Sequence, residues 1–124
     1  TSTWGTESPL LVSLERQDGI LVCERCLLAE TPLTRARGLL GRAGLERGEG
    51  ILLRPASSIH MWFMRFAIDA AFLDPDGRVL RIAEHLRPWR LAACKGAKAV
   101  VELPAGECAR VGLAPGDVVR VRQA

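Results

Sequence analysis

Apolar residues occur along the chain in short segments, either unbroken or alternating with polar residues, and turn-forming residues separate the segments. The first two segments, 10–15 and 20–28, flank "QDG" at 17–19, which favours a tight hairpin turn. Pro55 ends the next apolar segment, and "PDG" at 75–77 marks another tight turn. The pattern predicts further strands at 50–54, 57–66, 68–74, 78–86, 97–104 and after the turn that begins at 114.

Two short helices are predicted, at about 31–41 and 105–111. Thr31 can cap the first, and Gly112 can end the second. Many short strands with hairpin-sized connections do not fit an alternation of strands and helices. The expected fold is therefore mainly β, a compact antiparallel barrel or sandwich with one or two short helices. Residues 10–124 are expected to form a single β-rich domain, preceded by a flexible or tag-derived lead at 1–9.

Composition fits one domain, since 124 residues at 48% hydrophobic are enough for a real core. The net charge is +3, and the 17 basic residues are spread among 14 acidic ones, so nucleic acid is not the favoured partner. No apolar run approaches the roughly 18 residues that a membrane helix needs. No signal segment opens the chain, which suggests a cytoplasmic protein as the chain stands, or an exported one if such a segment was removed before Thr1.

The four cysteines are Cys23, Cys26, Cys94 and Cys108, and the first two have CxxC spacing within an apolar run. On a regular strand Cys23 and Cys26 point to opposite faces, which argues against a shared zinc ion or a disulfide between them. Buried structural thiols are the favoured interpretation, and a metal or redox site stays open as an alternative.

Five blocks of the sequence, in order, resemble a known family. They read "RARGLLGR", "SSIHMWFMRFAIDAAFLDPDGRVLRI", "RPWR", "VVELPAG" and "VGLAPGDVV". The family is the uncharacterised bacterial and archaeal one named domain of unknown function 192. The resemblance implies a mainly β sandwich or barrel with no established activity. This chain departs from the family pattern at Phe66 and Ala67, where an Asn or Pro often follows the basic residue.

The segment 57–66 combines a histidine with a tryptophan and both methionines of the chain. As a strand, it places His60, Trp62 and Met64 on one face and Phe63 on the other. An imidazole and a thioether suit a soft metal such as copper, so His60 and Met64 are a possible copper pair. The alternative interpretation is core packing around a hydrogen-bonded histidine.

Two carboxylates lie within apolar strands, Asp69 and Glu102. A buried carboxylate needs a partner, so Asp69 is expected either to hold backbone amides or an arginine, or to act as a general base beside His60. Glu102 is the other candidate for acid–base work. No nucleophile elbow or phosphate-binding loop occurs.

Two hypotheses about function follow. The first is a non-catalytic module that binds an anionic small molecule or a partner peptide, because guanidinium groups pair with anions and tryptophan stacks on rings. The second is an enzyme that uses His60 with Asp69 or Glu102. No cofactor is predicted. Phe63 and Ile68 are expected to be buried, with His60 at the rim of a concave surface. The candidate ligand-binding residues are His60, Trp62, Met64, Arg65, Asp69, Arg87, Trp89, Arg90 and Glu102.

Overall fold

The computed structural model describes residues 10–31, 35, 39 and 41–123. Within them the chain forms nine strands and one short helix, so the prediction of a mainly β fold is confirmed. The strands are β1 (Leu10–Arg16), β2 (Leu21–Ala29), β3 (Glu49–Leu53), β4 (Ser58–His60), β5 (Ile68–Leu73), β6 (Val79–Leu86), β7 (Leu91–Ala93), β8 (Ala99–Pro104) and β9 (Val119–Gln123), and the helix is α1 (Glu107–Arg110).

Helix α1 falls within the predicted 105–111 but is shorter. The other predicted helix, at 31–41, lies mainly outside the described residues. Of that segment, Arg35 is helical, and its backbone N–H donates to the carbonyl oxygen of Thr31 at 2.9 Å. The proposed lead at 1–9 also lies outside the described residues.

Seven strands form one sheet in the order β6-β5-β8-β3-β2-β1-β9, and β4 pairs with β7 in a separate two-stranded ribbon. All pairings are antiparallel except β2 with β3. The sheet curls until its two edges meet at one end. There the N–H of Val79 donates to Asp117 at 2.7 Å, and that of Val119 donates to Gly77 at 2.8 Å. The result is a half-barrel whose seam is joined at the start of β6 and β9.

The central strands β3, β5 and β8 of the curled sheet are buried on both faces. One cluster of buried side chains draws on strands from both sheet edges and on α1, so it lies inside the curl. The second cluster includes residues of the ribbon and of the segment 59–68, which therefore cover the outer face. Strand β3 shows the alternation directly, since Leu52 belongs to the inner cluster while Ile51 and Leu53 belong to the outer one.

The prediction that Cys23 and Cys26 face opposite sides is wrong. Cys26 pairs with Val12 and Cys23 with Leu14, so three steps along β2 match two steps along β1. This β-bulge turns both cysteines toward the inner cluster, where each is almost fully buried. The geometric argument against a shared ligand therefore fails. All four cysteines are free, and no group of three or more His, Cys, Asp or Glu side chains gathers among the described residues.

Candidate functional site

The predicted strand at 57–66 ends early, at His60. Beyond it the chain reverses, with the N–H of Met64 donating to the carbonyl oxygen of Met61 at 3.3 Å. Met61 and Met64 anchor this turn in the outer cluster, while Trp62 and Phe63 project from its tip and are 38% and 72% exposed. The expected burial of Phe63 is therefore wrong. Because the strand ends at His60, the side chains of His60, Trp62 and Met64 do not alternate onto one face. The geometric argument for a copper site at His60 and Met64 therefore no longer holds.

A second turn of the same kind lies in the predicted loop. The N–H of Arg90 donates to the carbonyl oxygen of Arg87 at 3.2 Å, and Pro88 occupies the second position, where its fixed φ is favoured. Trp89 follows with φ of 67° and is 55% exposed. The corresponding residue of the first turn, Phe63, has φ of 63°. Both turns thus place a bulky aromatic residue where a type II turn normally needs glycine.

Backbone hydrogen bonds hold the two turns together. The N–H of Trp89 donates to Met61 at 2.7 Å, and the N–H of Met61 donates to Arg90 at 2.8 Å. The ribbon continues this pairing, with His60 opposite Leu91. The relative position of the two exposed aromatic residues is therefore set by the backbone, not by side-chain contacts alone.

Four rings meet on this surface, and we name them the aromatic platform: His60, Trp62, Phe63 and Trp89. The ring of His60 stacks on Trp62 with centroids 5.5 Å apart and planes 20° apart. Trp62 lies 6.0 Å from Trp89, and Phe63 meets Trp89 edge-on at 4.8 Å. All four residues are exposed. Exposed clusters of apolar side chains are a general feature of interaction surfaces.

Three exposed arginines, Arg65, Arg87 and Arg90, flank the two turns in sequence. None of them has a side-chain hydrogen bond or an ion pair to another residue in the described part of the chain. Elsewhere arginines are engaged, as in Arg54 with Glu30 at 2.8 Å. The second turn and the residue that follows the first therefore carry positive charge that no carboxylate of the described residues pairs with.

Asp69 is fully buried and holds backbone amides, the first of the two roles expected for it. One carboxylate oxygen accepts from the N–H of His85 at 2.9 Å. The other accepts from Gly106 at 3.1 Å and Cys108 at 3.0 Å. Asp69 thereby joins β6 and the start of α1 to β5. Three backbone donors on one carboxylate account for a buried charge without a catalytic role.

Glu102 is also buried, with 7% of its surface exposed. It pairs across the sheet with Ile51 and Ala70, and all three lie on the outer face. Its carboxyl makes no side-chain hydrogen bond within the described part of the chain, and burial raises its pKa to about 7. Asp69 alternates with Ala70 and so points to the inner face. The sheet therefore separates the two carboxylates that the sequence offered as alternative partners of His60.

Two features escaped the sequence pattern. The turn at Met61 has no Gly, Asn or Pro to signal it, whereas Pro88 did mark the second turn. A recess between the β1–β2 hairpin and α1, described below, combines residues more than eighty positions apart, such as Leu21 and Val111. No local pattern reports such an approach.

A curled, mainly antiparallel half-barrel with a ribbon packed on its outer face defines a small β domain that presents its exposed aromatic residues on turns. The chain belongs to the family DUF192, described as Uncharacterized ACR, whose model matches residues 14–121.

Two curated relatives are UPF0127 proteins of archaea. The one from Thermococcus sibiricus is 34% identical over 77% of this chain and 64% of its own length. The one from Thermococcus kodakarensis is 33% identical over 74% of this chain and 61% of its own length. The aligned part of this chain thus spans less than two thirds of either relative.

Two solved structures share the fold. A protein of unknown function from Novosphingobium aromaticivorans is 27% identical, with a TM-score of 0.77 over 97% of both chains. A proposed transcription regulator from Sinorhizobium meliloti 1021 is 25% identical, with a TM-score of 0.80 over 94% of this chain and 98% of that one. No helix among the described residues is long and apolar enough to cross a membrane.

Proposed function

We propose that the protein is a non-catalytic binding module whose aromatic platform, with Arg65, Arg87 and Arg90, holds a small anionic molecule that contains a ring. The observation that carries the proposal is the pair of turns that expose Phe63 and Trp89 at positive φ. A bulky residue in that conformation costs of order 1–3 kcal/mol, and neither exposed ring recovers that cost by burial in the core. Strain kept at an exposed surface is typical of a functional surface.

The chemistry of the platform decides the class of ligand. Stacked and tilted rings favour a flat partner, because aromatic faces attract one another at centroid distances of 4.5–7 Å. Unpaired guanidinium groups favour carboxylate or phosphate, which they contact bidentately. A ligand that has both a ring and an anionic group uses both parts of the surface. A partner peptide with an acidic and an aromatic residue presents similar groups, and the experiment below separates it from a small molecule.

The alternative of an acid–base enzyme has less support. Asp69 is committed to three backbone donors on the inner face of the sheet, and Glu102 is buried on the outer face. Neither carboxylate hydrogen-bonds His60 in the described part of the chain. A general base needs to lie within hydrogen-bond reach of its proton, and these two carboxylates lack that relationship to the platform.

Tryptophan fluorescence provides a direct test, because Trp62 and Trp89 lie in the platform. Phenyl phosphate should quench the emission saturably. Phenol, which lacks the charge, and inorganic phosphate, which lacks the ring, should each bind about tenfold more weakly or not at all. Substituting Trp4 with Phe removes the emission of the third tryptophan. Saturable binding of phenyl phosphate that is no tighter than binding of phosphate alone would contradict the proposal.

Substitutions test whether phenyl phosphate binds at the aromatic platform. Trp89→Gly and Arg90→Gln should each weaken binding of phenyl phosphate by about tenfold or more. Arg120→Gln, an exposed arginine on β9, is the matched control and should bind as the wild type does. An acidic aromatic peptide and a DNA duplex are titrated in parallel. Tighter binding of either one, weakened by the same platform variants, would replace the small molecule as the proposed ligand.

A further inference from the structure

A recess that shares no residue with the aromatic platform lies between the β1–β2 hairpin and helix α1. Its volume is about 550 Å³. Small-molecule sites in proteins fall in the range of about 300–1,000 Å³, so the recess is large enough for a small organic ligand. Its lining combines apolar and charged side chains.

The walls of the recess are fixed to one another. The guanidinium of Arg16, on β1, donates to the carbonyl oxygens of Val111 and Gly112 at 2.8 Å each, and to Asp18 in the hairpin turn at 2.7 and 2.9 Å. This side chain therefore joins the hairpin to the end of α1. Asp69 holds the other end of the helix through Gly106 and Cys108. A recess braced in this way needs little reorganisation to accept a ligand.

The apolar lining includes Ile20, Leu21 and Val111. Ile20 and Leu21 are 43% and 44% exposed, although they are large aliphatic side chains next to the hairpin turn. Covering them with an apolar chain would remove this area from water, at roughly 25 cal/mol per Å².

The charged side centres on Glu107, which is 6% exposed. Arg110 donates to both of its oxygens, at 2.6 and 2.8 Å, and this hydrogen bonding lowers the pKa of Glu107, so the carboxylate stays ionised at neutral pH. Arg47 lies farther off, with its Nε 3.8 Å from the same carboxylate, and its side chain is 72% exposed. Glu107 is thus already neutralised by Arg110, and Arg47 contributes a positive charge with no short hydrogen bond.

The remaining charges near the recess cancel. Glu24 and Arg25 form an ion pair at 3.6 Å beside Gly48. Three guanidinium groups and two carboxylates therefore lie at the recess, a net charge of +1, and Arg47 has the longest of the ion-pair distances there, at 3.8 Å. A ligand that matches this charge and the exposed aliphatic side chains has one negative charge and a hydrocarbon chain.

We infer that this recess binds an amphipathic monocarboxylate, a medium-chain fatty acid of the octanoate or decanoate type. Its carboxylate pairs with Arg47 in the bidentate manner of guanidinium groups. Its chain lies along Ile20, Leu21 and Val111. This site is independent of the platform, so a single chain holds two different anionic ligands at separate places.

The experiment is a titration with octanoate below its micelle concentration, followed by methyl NMR. The methyl signals of Ile20, Leu21 and Val111 should shift saturably. Octanol, which lacks the charge, and acetate, which lacks the chain, should each bind about tenfold more weakly. Octanoate that gives no saturable shift, or acetate that shifts the same signals equally, would overturn the inference.

Variants separate this site from the platform. Arg47→Gln alters an exposed side chain and should leave the fold intact while weakening octanoate binding about tenfold. Leu21→Glu places a like charge in the recess and should abolish binding. Arg65→Gln, at the platform, is the control and should leave octanoate binding unchanged. If instead Arg65→Gln weakens binding and Arg47→Gln does not, the fatty acid occupies the platform and the recess is not its site.

Discussion

The ring of Phe63 packs edge-on against the ring of Trp89, with centroids 4.8 Å apart and planes at 61°, and both residues have positive φ. Each of the two turns therefore supports the strained residue of the other. Edge-to-face pairs contribute about 0.5–1.5 kcal/mol beyond burial, which offsets only part of the strain. Selection for stability alone would favour glycine at both positions, which is the basis of the proposed binding role of the two rings.

Phe63→Gly should leave the free energy of unfolding unchanged or raise it by up to about 1 kcal/mol. The ring is 72% exposed, and glycine adopts the left-handed conformation without strain. Denaturant melts of the wild type and of Phe63→Gly measure this change in the free energy of unfolding. Phe72→Ala is the comparison, since Phe72 is fully buried and its truncation should cost about 3–5 kcal/mol. A loss of more than about 2 kcal/mol for Phe63→Gly would show that the ring supports the fold after all.

Asp69→Asn should destabilise the protein by about 3 kcal/mol or more. Asparagine has one acceptor oxygen where aspartate has two, and its NH2 group cannot accept, so at least one of the three buried N–H donors loses its acceptor. Asp76→Asn, in an exposed turn, should change stability by less than about 0.5 kcal/mol. Hydrogen exchange adds a second measurement, because the amides of Gly106 and Cys108 should exchange much faster in the Asp69 variant.

Glu102→Gln should stabilise the protein, and more so at higher pH. Burial raises the pKa of Glu102 from 4.5 to about 7, so its contribution is fully favourable below about pH 4.5 and is lost as the pH rises to about 7. The advantage of the variant over the wild type should grow by about 2.5 kcal/mol between about pH 5 and pH 8. Urea melts across this range test it, with Glu102→Leu expected to remove the same pH dependence. If the free energies of unfolding of the wild type and of Glu102→Gln change in parallel with pH, the Glu102 carboxylate gains a hydrogen-bond or ion-pair partner in solution.

Thiol reactivity should single out Cys94. It is half-buried, whereas Cys23, Cys26 and Cys108 are at most 1% exposed. Burial raises the pKa of the Cys108 thiol to about 12, and the hydrogen bond with Cys23, together with burial, raises that of Cys26 well above its usual range. Because thiolate is the reactive form, a disulfide reagent should label one thiol quickly and the others only on unfolding. Cys94→Ser should remove the fast phase, and a second fast thiol in that variant would contradict the buried arrangement.

The sequence predicted the strands well where burial alone decides the pattern. Strands β5 and β8 are nearly continuous apolar runs because the half-barrel packs on both of their faces. It also limited the role of Asp69 to two alternatives, one of which the backbone donors of His85, Gly106 and Cys108 now support.

The errors have a common physical cause. The bulge at Cys23 and Cys26 depends on how β2 aligns with β1, and the turn at Met61 depends on the neighbouring turn at Arg90. Both are set by contacts between distant segments, and periodicity within a segment cannot report them. The platform was therefore predicted by residue type, through Trp62 and Trp89, but its geometry was not.

The pairing of β1 with β9 constrains when the sheet can be completed during synthesis and folding. The hydroxyl of Ser13 reaches the backbone of Arg122, 109 positions away, and β9 is the only neighbour of β1 on that side of the sheet. A nascent chain leaving the ribosome therefore presents β1 with an unsatisfied edge until the last strand has been synthesised. Closing so long a loop makes the contact order high, which places folding in the millisecond-to-second range typical of β barrels.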